Sequence, residues 1–111
     1  MEVGEDPAGR SSNKGKRKAD LAMILAYHEE QLGLLLERVR DGFVRFDAGE
    51  IDAFELDAVI HHYSRSAKEL WKFCGNGEAR LDWAVSSLEY ARNSGQLPDW
   101  WEVGDLERRR R

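Results

Sequence analysis

Apolar residues recur through the first half of the chain in alternating steps of four and three. Leu21, Leu25, His28, Leu32, Leu35, Val39, Gly42 and Phe46 form one such series. Steps of that size return side chains to one face of a helix at every turn, and they predict a helix over about 20–48. Asp20 or an earlier residue can cap its start, and Gly49 stands where a residue without Cβ can take the left-handed conformation that ends a helix. Directly after it, Asp52-Ala53-Phe54-Glu55 is a capping box, in which the Asp52 side chain accepts from first-turn amides and Glu55 reaches back. A second helix over 52–74 follows, with Leu56, Ile60, Tyr63, Ala67, Leu70 and Cys74 as its stripe and Gly75-Asn76-Gly77 as its stop. A shorter third helix is predicted over 78–94, striped by Leu81, Ala84, Val85, Leu88 and Ala91 and ended by Gly95, with Pro98 forbidding simple continuation. No alternating strand pattern and no internal repeat is present.

These elements predict an all-α fold, a three-helix bundle built on a long antiparallel helical hairpin. The two long helices are joined by a few residues and must fold back on each other. Residues whose numbers sum to about 100 then lie opposite, because each step from the turn advances both helices by ~1.5 Å. On that register Val39 meets Ile60, both fully buried, Leu32 meets Ala67, and His28 lies near Leu70 and Trp71. The bundle occupies 19–97. Residues 1–18, rich in Gly, Ser, Asn and Lys, read as a disordered basic arm. Residues 98–111 form an aromatic C-terminal segment ending in four arginines.

The first helix carries more apolar residues than one seam uses. Met23, Ile24, Tyr27 and Leu34 lie outside the main stripe, and either the third helix and the Trp segment cover them or another chain, a second copy included, does. Trp100 and Trp101 join them as candidate partner-binding residues. Neighbours on an extended chain point to opposite sides, so one of the two is left for a partner, and Trp is enriched at binding hot spots. A short helix from Asp99 that tucks both away is the competing expectation.

Composition narrows the chemistry. The 111 residues are 41% hydrophobic and 34% charged, with net charge −4. That is too apolar for a wholly disordered chain and too polar for a membrane protein. No apolar run reaches the roughly 18 residues that a spanning helix needs. A single cysteine, Cys74, excludes an internal disulfide and falls on an apolar stripe, where a thiol acts as a small hydrophobe. Charge is uneven: residues 1–18 are net +2, residues 19–99 net −7, and the last twelve net +1. The basic ends, Lys14, Lys16, Arg17 and Lys18 with Arg108, Arg109, Arg110 and Arg111, could hold phosphates of a nucleic acid weakly and without sequence preference. An acidic body argues against this, and nucleic acid is the third reading.

Residues 49–56 resemble the second half of a calcium loop, but Val44, Phe46 and Ala48 stand where its first oxygen ligands belong, and a helix stop with a capping box explains the same letters. His61, His62 and Asp57 invite a metal or small-ligand site, which is the runner-up reading. His28 cannot join them, since its height along the hairpin differs from that of His61 by about 13 Å. The simpler account is an exposed Asp57–His61 pair one turn apart. No phosphate loop, nucleophile elbow or zinc-protease segment occurs, so no catalytic residue and no cofactor is assigned.

Tyr27-His28-Glu29-Glu30, the run from Phe46 through Gly49, Asp52 and Glu55 to Leu56, His61-His62-Tyr63, Glu69-Leu70-Trp71-Lys72-Phe73-Cys74 and Pro98-Asp99-Trp100-Trp101-Glu102 together resemble a set of short uncharacterised helical proteins of high-GC bacteria. The resemblance implies a bacterial cytoplasmic origin and no particular activity. The expectation is therefore a non-catalytic interaction or regulatory protein whose partner is itself or another protein.

Overall fold

The computed structural model describes residues 5–75 and 81–110. Among them the chain forms four helices and no strand: α1 (Glu5–Asp47), α2 (Ala53–Cys74), α3 (Leu81–Ser94) and α4 (Trp100–Arg110). The fold is all-α. The expected start of the third helix at Glu78, the Asn76-Gly77 part of the helix stop before it, and Arg111 lie outside the described residues.

Helix ends follow local chemistry. At the end of α1, Gly49 takes φ +78°, its N–H donates to the Phe46 carbonyl and the Glu50 N–H to the Arg45 carbonyl. These two bonds satisfy carbonyls that the ending helix would orphan. Two residues later Asp52 caps α2: its carboxylate accepts the Glu55 N–H at 2.8 Å, and Glu55 accepts the Asp52 N–H at 2.9 Å. Gly95, at φ +72°, ends α3 in the same manner, with the Gln96 N–H on the Ala91 carbonyl. Asp99 then caps a fourth helix that replaces the expected tail, its carboxylate accepting from the Trp101 N–H at 3.0 Å. The start of α1 also departs from expectation. It runs back to Glu5, so Lys14, Lys16, Arg17 and Lys18 are helical, and the Lys16–Asp20 pair one turn apart at 2.7 Å favours that continuation.

α2 packs back along α1. A Cβ on Gly42 would sit 3.2 Å from Leu56 and 3.3 Å from Val59, and the Tyr27 and Phe73 rings stand 6.1 Å apart. The core gathers Ile24, Tyr27, Leu35, Leu70, Leu81, Ala84, Val85, Leu88 and Trp100. Three expectations are corrected here. Ile24, Tyr27 and Trp100, offered as partner-binding residues, are buried, and Met23 is half-buried. Ile60, expected at the centre of the seam, is 38% exposed, and Val39 is only half-buried. The buried face of α2 keeps Leu56 and Leu70 of the expected stripe and turns from Ile60 toward Ser66.

The reason for that rotation is α4. It lies against α2 at Gly104, where a Cβ would fall on the Ser66 side chain and within 3 Å of the Ser66 backbone, at 2.8 Å from its nitrogen. Only glycine lets the two helices approach so closely. Ser66 is accordingly wholly buried. A serine and a glycine carry no apolar signal, so periodicity alone places the seam one step off.

Candidate interaction face

α3 and α4 cover the same side of the α1–α2 pair. The Trp100 indole N–H donates to the Tyr27 hydroxyl at 2.8 Å within the core. Burial pushes the Tyr27 phenol above its ordinary pKa. Trp101 stacks on His62, with ring centroids 3.7 Å apart and planes 19° apart, while the Arg38 guanidinium lies 5.2 Å from its ring centre. The Trp101 carbonyl accepts from His62 Nε2 at 2.7 Å and from the Ser66 hydroxyl at 3.3 Å, and Arg65 donates to the Gly104 carbonyl. Toward the other end Phe73 meets Trp83 at 5.4 Å, and Arg92 reaches over the Tyr27 ring. Leu34, Trp100 and Trp101, three of the expected partner-binding residues, do share one shallow groove of about 440 Å³ with Arg38 and Asp41. Met23, Ile24 and Tyr27 do not reach it.

Among the described residues no helix covers the opposite side of the pair. Leu25, Leu32, Leu36 and Phe43 lie within roughly 40° of one another around α1, and turned about 150° from Tyr27 and Arg38. Leu25 is 57% exposed, Leu36 45% and Phe43 46%. On α2 the exposed Ile60 and Trp71 flank the same open strip. Leu32, Val39 and Ala67 form its half-buried floor. No sequence signal marked this strip as a surface, because its residues belong to the very stripes that periodicity assigns to the seam.

The remaining candidates are scattered. His61 and Asp57 form an exposed pair at 3.3 Å, whereas His62, one residue on, turns to α4 and must hold its Nε2 proton for the Trp101 carbonyl. The three residues of the metal reading are therefore not brought to one point, and among the described residues no group of three or more His, Cys, Asp or Glu could hold an ion. Cys74 is half-buried, and desolvation pushes its thiol up to about 11, so it is not a thiolate at neutral pH. The basic ends are likewise apart. Lys16 and Arg17 line a groove with Asp82 and Glu89 of α3, while Arg108 lies with Phe54, Asp57 and His61 near the α1–α2 turn, about 40 Å away along α1. Asp20 and then the acids of α3 raise the Lys16 pKa. Among the described residues no helix is long and apolar enough to cross a membrane. No protein-family model, no curated protein and no solved structure matches the chain.

Proposed function

We propose that this chain is a non-catalytic interaction protein, a helical hairpin buttressed on one side that binds another polypeptide through its open side. One observation carries the reading: Leu25, Leu36, Phe43, Ile60 and Trp71 stand exposed on a single face of the α1–α2 pair. A contiguous strip of large apolar side chains bounded by charge is the ordinary mark of a protein-binding surface. The half-buried, protonated Cys74 thiol and the engaged His62 lend no support to a catalytic alternative. The resemblance to short proteins of high-GC bacteria suggests the bacterial cytoplasm as the place of action.

Affinity capture from a native lysate, with wild type and Leu36→Glu compared at low and high salt, tests this. Apolar contact is expected to retain its partner at high salt and to lose it with Leu36→Glu, while the variant keeps its helical circular dichroism. Retention of nucleic acid alone, released by salt, would move the reading to the basic ends.

A further inference from the structure

We propose that the occupant of the open face is a second copy of this chain, turned about a two-fold axis parallel to α1 and α2. The inference rests on the interaction reading above and names its partner. Charges along the two edges of the face carry it. The α1 edge holds Glu29 and Arg40, both exposed, and the α2 edge holds Asp57, paired with His61, near the turn and Lys68 farther along, while Lys72 turns to Glu69 at 3.0 Å. The register fixed by Gly42 against Val59 and by Tyr27 against Phe73 puts Glu29 within one turn of the height of Lys68. It puts Arg40 level with Asp57 and His61. Opposite charges thus stand at similar heights on opposite edges of one apolar strip.

A two-fold axis along the helices lays the α1 edge of each copy on the α2 edge of the other without changing height. Glu29 then meets Lys68 of the second copy, Arg40 meets its Asp57, and symmetry makes each pairing twice. The steric pattern agrees. Leu36 is level with Ser64, so a bulky side chain of α1 meets a small position of α2 in the second copy, and Trp71 falls between the heights of Leu25 and Leu32. Val39 and Ile60, half-open in one copy, become interior in the pair. The apolar stripes that periodicity centres on these two residues then have a physical purpose. Because the contact is isologous, it closes at two copies.

Sedimentation velocity of the full chain from about 1 to about 100 µM decides the matter. The expected result is a monomer–dimer equilibrium in which Leu36→Glu leaves a folded monomer, judged by unchanged circular dichroism. Glu29→Lys is expected to weaken the dimer about tenfold, and adding Lys68→Glu in the same chain to restore it. A dimer indifferent to Leu36→Glu, or a charge reversal that the second change does not repair, overturns the proposed pairing. A wild-type monomer whose affinity column retains a defined different protein, lost with Leu36→Glu, overturns self-association and leaves the interaction reading standing. A monomer that retains nothing overturns both.

Discussion

The two sides of the α1–α2 pair are built from different materials. On the covered side the aliphatic core around Ile24, Leu70, Val85 and Leu88 is joined by directional aromatic and polar contacts, with Trp100 bonded to Tyr27, Trp101 between His62 and Arg38, and Gly104 against Ser66. On the open side the residues are mainly aliphatic and recur at helical spacing, from Leu25 through Leu36, with the aromatic Phe43 and Trp71 toward its two ends. A side that has found its cover within the chain shows irregular, directional chemistry, because each indole and imidazole needs a particular partner. A side awaiting cover keeps the plain periodicity that any complementary apolar surface can meet.

Substitutions on the two sides sharpen this contrast. The largest effect is expected at Leu70, which is fully buried on the covered side. Leu70→Ala should cost about 2 to 5 kcal/mol by urea denaturation, through lost burial and the cavity left behind. Next comes Gly104→Ala. Helix propensity alone would favour it by roughly 1 kcal/mol, yet the added methyl falls on Ser66, so a net loss of about 1 to 3 kcal/mol is expected. A gain instead would mean that α4 does not rest where it is drawn.

Alkali offers an intermediate probe. The Cys74 thiol is raised from its ordinary 9.0 to about 11, and Tyr27 is raised as well. A group whose pKa rises on folding contributes stability that is present below its unfolded value and lost as pH climbs through the folded one. Stability should therefore fall between about pH 9 and 11. Cys74→Ala should flatten part of that fall, measured as urea midpoint against pH. An unchanged slope would show the thiol to be wet.

The smallest effects belong to the open side. Ile60→Ala, which a buried seam would make as costly as Leu70→Ala, should cost only about 1 kcal/mol or less in dilute protein, because the side chain already meets water. The same cost should grow with protein concentration if the face pairs with a second copy. Gly33→Ala, where a Cβ meets nothing within 4 Å, should stabilise by about 0.5 to 1 kcal/mol. Thermal melts at two concentrations check both.

What could be read from the letters was what is local. The capping box at Asp52 and Glu55, the glycine stops at Gly49 and Gly95, and the register that places Tyr27 beside Phe73 depend on short-range chemistry or on counting from a turn. The spacing of a stripe gives its period but not the direction of its neighbour, so it leaves Ile24 and Tyr27 outside the seam and Ile60 within it, whereas Ile24 and Tyr27 are buried and Ile60 is exposed. The letters offer a short helix from Asp99 as one of two readings of the Trp segment, but not its seat against α2, and for a related reason. Its docking uses a glycine, a serine and a histidine, residue types that pattern reading treats as surface. The open strip was hidden in plain view, since its leucines are what a core is made of.

The Trp100 bond to Tyr27 joins residues 73 apart in sequence. α1 and α2 are joined by only five residues, 48–52, and can close on each other almost at once, whereas α4 must wait until nearly the whole chain has been ordered to reach its seat. In the finished molecule the same asymmetry works in reverse. α4 is an eleven-residue end piece seated on α2 by Gly104, Trp101 and the Arg65 bond, all contacts distant in sequence, so it undocks only as a unit, and its amides should exchange with solvent together. Each such excursion strips Tyr27 and His62 of their indole partners and briefly gives the closed side of the molecule the character of the open one.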